Sequence, residues 1–215
     1  IMDIILMTNG TLLTQGLSEF LVQQEVSRVC ISIDAATSET YEKVRGKDQL
    51  QKVEKNVRTL VETREKNGKL LPIVRLSFCV LDENKIEQTA FRDKWRGIVD
   101  YIDFQKANDF SYVGKEDEVV LQSNNDSPNQ KPFCSKPFGY LNVWSNGDIS
   151  PCCTFYGKSL NFGNIKKDTL ADVYNGDKLS DLRDQFLGKK ELNQVCKVCL
   201  SQRENLIGDE VWSQN

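Results

Sequence analysis

The chain of 215 residues contains no histidine. That absence removes imidazole general acid/base catalysis and every Cys/His zinc finger at once. Charge of one sign is not in excess: 28 basic residues against 31 acidic ones leave a net charge of −3. No electrostatic footprint therefore calls for nucleic acid or an anionic membrane, and neither is expected as a partner. No apolar run approaches the roughly 20 residues that cross a bilayer, and no signal-peptide core is present. The seven cysteines are odd in number and irregular in spacing, which argues against a secreted disulfide framework and for a reducing, cytoplasmic setting.

Four of those cysteines, Cys134, Cys152, Cys196 and Cys199, are spaced like the ligands of a single metal centre. The last two form a C-x-x-C turn that presents two sulfurs from one short segment, while the others must be brought there by folding. Metal and fold are then coupled. A thiol with an ordinary pKa near ~8.5 is mostly protonated at neutral pH, so four thiols without a metal would gain nothing that explains the spacing. Four thiolates with no His suit a tetrahedral zinc ion and a [4Fe-4S] cluster alike. Cys30 and Cys79 each lie inside an apolar strand and are assigned to the core rather than to the metal. Cys153 directly follows Cys152, and because neighbouring side chains in a hairpin face opposite ways, only one of the two can point at the metal.

The first hundred residues alternate between strand and helix signals. The apolar run Ile1 to Met7 is followed by Thr8-Asn9-Gly10 and then by Leu13, Leu17, Phe20 and Leu21 at helical spacing. The unit recurs: Val29 to Ile33 before a helix over Leu50 to Arg64, Ile73 to Val80 before one over Lys85 to Trp95, then Tyr101 to Phe104. Strands buried on both faces and separated by helices predict an α/β fold with a parallel sheet and right-handed crossovers. After Lys106 the pattern breaks, and the polar stretch Ser123 to Gln130 reads as a linker or surface excursion. Beyond it, Tyr140 to Trp144, the turn Asn146-Gly147 and Asp148 to Pro151 predict a hairpin whose exit delivers Cys152. Two short helices are expected over Thr169 to Tyr174, capped by Asp168 or Thr169, and over Lys178 to Phe186. The chain opens directly on a buried-type strand, so further strands from the same polypeptide or another chain are expected to cover its edge.

The motifs TNGTLL (Thr8 to Leu13), CISIDAATSETYEKVRG (Cys30 to Gly46), NGD ahead of Pro151-Cys152-Cys153, LNFGNI (Leu160 to Ile165) before TLADVYNG, and CKVC follow one another in order. Together they resemble the radical S-adenosylmethionine (SAM) enzymes that carry a C-terminal SPASM or twitch domain. The resemblance implies part of a parallel (βα)6 partial TIM barrel over residues 1–108, a linker over 109–131, and a small cysteine-rich domain over 132–215. It implies one auxiliary [4Fe-4S] cluster on Cys134, Cys152, Cys196 and Cys199, since a second cluster needs more cysteines than are present. The family's CxxxCxxC triplet, which binds the SAM-cleaving cluster, occurs nowhere in this sequence.

By the same resemblance Ser32 and Arg45 contact the amino-carboxylate part of SAM, with Asn9, Gly10 and Asp34 at the cofactor mouth. On residues alone, Thr8-Asn9-Gly10 is also an ordinary turn and Asp34 a helix N-cap candidate. The complete enzyme would generate a 5′-deoxyadenosyl radical and abstract hydrogen from a small-molecule or peptide substrate held between barrel and twitch domain. A ferredoxin- or flavodoxin-like reductant is implied. From another class, a non-catalytic zinc-binding or scaffolding module with a structural four-cysteine site fits the same thiols.

Overall fold

A computed structural model of the chain describes residues 3–107, 133–153, 155–201 and 210–213. The anticipated linker, including Ser123 to Gln130, lies outside the described residues. The chain divides into two compact units, 1–107 with 208–215 and 108–207. Among the described residues no helix is long and apolar enough to cross a membrane.

In the first unit β1 (Ile5–Thr8), β2 (Arg28–Ser32), β3 (Ile73–Val80) and β4 (Tyr101–Lys106) form a parallel sheet in chain order. β8 (Glu210–Ser213) adds antiparallel to β4, pairing Tyr101 with Ser213 and Phe104 with Glu210. Nothing in its four residues announced that return to the first unit. The crossovers are α1 (Gln15–Gln23), α2 (Ser38–Arg45) with α3 (Leu50–Lys66), and α4 (Gln88–Trp95), the last entered through a 3-10 turn over Lys85–Glu87. In α3, Leu50, Val53, Val57, Leu60 and Val61 recur every three or four residues and are all buried, as an amphipathic helix on a sheet requires. The helix α2 was hinted at only by the candidate cap Asp34, for SETYEKVR carries one buried residue, Tyr41, and no apolar stripe.

Among the described residues the two faces of the sheet differ in chemistry, one apolar and one polar. Burial alternates along β3, with Val74, Leu76 and Phe78 fully buried and Arg75, Ser77 and Cys79 half-buried. The period of two sends the first set toward the helices and the second set to the opposite face. Parallel register extends that polar face across the sheet, aligning Ser32 with Ser77 and Ser77 with Asp103. Cys30 and Cys79 belong to this face, and neither joins the apolar cluster behind the sheet. Cys30 is nonetheless buried, as expected, at 6% exposure between the core-facing Val29 and Ile31, whereas Cys79 is only half-buried.

An aromatic group locks the core at β3, β4 and α4. The Phe78 and Phe91 rings meet edge to face at 5.0 Å, and Phe104 approaches Phe78 at 5.4 Å. Trp95 is fully buried, with the Arg58 guanidinium 5.0 Å from its ring centre. Trp95→Ala is expected to destabilise this unit by about 3 to 5 kcal/mol, through lost burial plus a residual cavity. Urea denaturation checks this, and a loss under about 1 kcal/mol would mean that the ring is not a core element.

The second unit contains α5 (Lys136–Gly139), β5 (Asn142–Val143), β6 (Asp148–Ser150), β7 (Gly163–Asn164), α6 (Leu170–Asn175), α7 (Asp177–Phe186) and α8 (Gln194–Ser201). The hairpin turns at Asn146-Gly147, where Gly147 adopts φ +93° and the Trp144 N–H bonds the Asp148 carbonyl at 2.8 Å. β7 adds a third strand. Thr169 caps α6 through the Asp172 N–H. Leu179, Leu182 and Phe186 of α7 form a small core against Cys134, Phe138, Leu141, Phe162, Tyr174, Leu192, Cys196 and Leu200.

Candidate functional site

Cys196 and Cys199 sit on a helix, α8, and not on the turn expected from C-x-x-C. Residues three apart on a helix share a face, so both sulfurs can still serve one point. The start of that helix is fixed by Asn193, whose Oδ1 accepts the Cys196 N–H at 2.9 Å in the manner of an N-cap. Asn193 is itself held by Gln185 of α7, whose Oε1 accepts from the Asn193 backbone (3.0 Å) and side chain (2.9 Å). Neither residue was singled out from sequence, although an Asn three residues before a helical Cys is a cap signature.

Cys152 leaves β6 under a second set of anchors. Trp144 Nε1 donates to Ser150 Oγ at 2.9 Å, and Ser150 Oγ donates to the Cys152 carbonyl at 2.9 Å. Gly157 lies against this cysteine so closely that an added Cβ would stand 2.3 Å from its sulfur and 3.1 Å from its carbonyl oxygen. A side chain here would require the Cys152 sulfur to shift. No local sequence signal marks Gly157, because the approach depends on how the chain after Cys153 folds back.

Cys134, just ahead of α5, joins Cys152, Cys196 and Cys199 in lining one small cavity of about 30 Å³, together with Pro137, Pro151, Leu182 and Phe186 among others. The lining is otherwise largely apolar. Burial pushes the Cys196 thiol up to about 12, against the lowering effect of Asn193, and Cys152, Cys199 and Cys134 add to the rise. Such a thiol stays protonated unless a metal takes the proton's place. A histidine-free donor set of four sulfurs, with a glycine cradle behind one of them, fits a thiolate-ligated metal group. Cys153 does not line the cavity. It is exposed and hydrogen-bonds Tyr140, whose hydroxyl is pushed up by burial and then by Cys153.

In the first unit, Asn9, Ser32 and Asp34 lie at or just beyond the C-terminal ends of β1 and β2, where sites gather in folds of this kind. Asn9 is engaged in a local turn: its Oδ1 accepts from Thr11 N–H at 3.1 Å and Thr11 Oγ1 at 2.8 Å. Gly10 takes φ +75° beside it. Asp34 is not a helix cap, a role that Thr37 fills by accepting the Thr40 N–H. Asp34 instead sits at φ +65°, accepts the Cys79 N–H at 2.7 Å and pairs with Arg45 at 2.5 Å. Burial raises its carboxyl above the ordinary range, with Cys79 and Arg45 opposing. Ser32 is half-buried on the polar face.

Residues 134–200 match the SPASM family, described as an iron-sulfur cluster-binding domain. That span begins at Cys134 and encloses Cys152, Cys196 and Cys199. No curated protein matches the sequence. Among solved structures, anSMEcpe with bound AdoMet (SAM) shares the fold at 18% identity and a TM-score of 0.54, covering 93% of this chain and 68% of that one. BtrN in complex with AdoMet and 2-DOIA aligns at 13% identity with a TM-score of 0.37, covering 92% of each chain, too low a score to carry weight. The SPASM match and the shared fold are both features that the sequence resemblance implied.

Proposed function

From a SPASM iron-sulfur domain joined to a parallel α/β sheet, we propose that this chain is part of a radical SAM enzyme. The observation that carries the reading is the meeting of Cys134, Cys152, Cys196 and Cys199 on one cavity inside the SPASM span. Those four would hold one auxiliary [4Fe-4S] cluster. When bound, such a cluster supplies an electron store whose potential is set by burial and by hydrogen bonds to its sulfurs. The apolar lining from Pro137, Leu182 and Phe186 limits water there, while Asn193 and Ser150 hold the backbone of two ligand segments.

Spacing alone leaves zinc open, and the match to an iron-sulfur cluster-binding domain favours the cluster. Four sulfurs at about 2.3 Å from one tetrahedral zinc stand only about 3.8 Å apart, whereas a cluster spreads its ligands over separate irons.

In the complete enzyme, SAM would be cleaved reductively to a 5′-deoxyadenosyl radical that abstracts hydrogen from a small-molecule or peptide substrate, with electrons from a ferredoxin- or flavodoxin-like donor. Ser32 and Arg45 would meet the amino-carboxylate of SAM, with Asn9 and Asp34 shaping the mouth. β1 is an edge strand whose Ile5 and Met7 are 53% and 74% exposed. Such an edge suits pairing with further strands that carry the SAM-cleaving cluster.

Anaerobic reconstitution followed by iron, sulfide and zinc analysis tests the metal. About four irons and four sulfides per second unit, with the broad visible absorbance that d¹⁰ zinc lacks, are expected. One zinc and a colourless protein would establish the structural zinc module instead.

A further inference from the structure

The loop after β2 is held in place by the loop after β3. Asn84, fully buried, donates from Nδ2 to the carbonyl oxygens of Asp34 (2.9 Å) and Cys79 (2.8 Å), and its Oδ1 accepts the Leu81 N–H (2.7 Å). Three residues on, the Glu87 carboxylate accepts from Ala36 N–H (2.6 Å), Thr37 Oγ1 (2.6 Å), Thr40 Oγ1 (2.7 Å) and, at longer range, Thr37 N–H (3.4 Å). Burial raises the Glu87 carboxyl, but the bonds from Thr37, Ala36 and Thr40 outweigh it and leave the group below its ordinary value. The carboxylate is therefore charged at neutral pH and sits at the N-terminus of α2, where negative charge is favoured.

A capping role alone does not account for it. Thr37 already caps α2 through the Thr40 N–H. What α2 lacks is packing: with Tyr41 its one buried residue, hydrophobic contact cannot fix how the helix lies, and polar anchors must. Glu87 holds its first turn, and the Asp34 to Arg45 pair holds its last. Asp34 can make that pair because Asn84 and the Cys79 N–H stabilise it at φ +65°, a conformation of moderate cost for Asp.

We propose that Glu87 and Asn84 are positioning residues that lock the β2 to α2 loop and so hold Ser32 and Arg45 in the arrangement that receives the amino-carboxylate of SAM. The inference rests on the SAM-binding reading given above. A residue some 50 positions along the chain thus sets the aim of Arg45 without touching the ligand.

The test uses the complete enzyme, wild type and Glu87→Gln, with Val57→Ala as a core variant for comparison. Gln keeps the shape of Glu but turns an amide nitrogen toward N–H groups that need an acceptor. Amide hydrogen exchange over residues 34–45 is expected to quicken about tenfold in Glu87→Gln alone, and the Kd for SAM to rise about tenfold, with kcat at saturating SAM nearly unchanged. Val57→Ala should lower the melting temperature at least as much while leaving both readouts at wild-type values. Wild-type exchange and Kd in Glu87→Gln, whatever its melting temperature, would overturn the positioning role and leave Glu87 a stabilising contact. Failure of the wild-type enzyme itself to bind SAM would overturn the functional reading, and the positioning claim with it.

Discussion

Cys196→Ala is expected to remove nearly all of the iron from the second unit and to loosen its fold. Cys196 lies on α8 beside the apolar cluster of Leu179, Leu182 and Phe186, so a metal group held there and the core it touches would form one cooperative structure. Cys134→Ala, Cys152→Ala and Cys199→Ala belong to the same class, because each lines the same cavity. Three variants should behave differently. Cys30→Ala and Cys79→Ala, on the polar face of the first unit, should keep full iron and cost about 1 kcal/mol of packing. Cys153→Ser should also keep its cluster, since Cys153 is turned toward Tyr140. Iron and sulfide analysis with visible spectra separates the two groups. Full iron in Cys196→Ala, or its loss in Cys153→Ser, would refute the ligand set.

Gly157→Ala is expected to act almost as strongly, although it removes no ligand. A methyl group 2.3 Å from the Cys152 sulfur must push it about 1 Å or more to reach ordinary contact distance. The Cys152 carbonyl, 3.1 Å from the same Cβ and held by Ser150, leaves the methyl group little room to back away. Reconstituted iron should fall several-fold, with weaker visible absorbance, while Trp95 fluorescence and the stability of the first unit stay unchanged. Gly16→Ala provides the contrast: nothing lies within 4 Å of its added Cβ. It sits inside α1, so this change should stabilise by about 0.5 to 1 kcal/mol. Wild-type iron in Gly157→Ala would show that the sulfur moves freely and that the glycine is no cradle.

How far the sequence reached follows from the range of the forces involved. Local pattern was enough for β3, found over Ile73–Val80 as expected, and for α3, whose apolar stripe runs from Leu50 to Val61. It was enough for the Asn146-Gly147 hairpin, because a turn is set by the φ values its own residues tolerate. The cysteine spacing pointed to four ligands, since C-x-x-C constrains two sulfurs wherever it is placed. Local pattern failed for α2, held by remote anchors in place of a stripe, and for β8, whose pairing with β4 is a contact between distant segments.

Only tertiary structure decided the rest. It determined that Gly157 backs Cys152, that Gln185 holds the cap of α8, and that Glu87 and Asn84 grip a loop some 50 residues earlier. It also set Cys30 and Cys79 on the face of the sheet opposite the helices, Cys30 buried and Cys79 half-buried: an apolar strand does not reveal which of its faces meets helices until its neighbours and their register are in place. Sequence by itself determined which chemistry the chain could perform, because thiols without histidine restrict the metal donors whatever the fold. Which sulfurs converge, and on what support, depended on long-range packing and hydrogen bonds that no short window of residues contains.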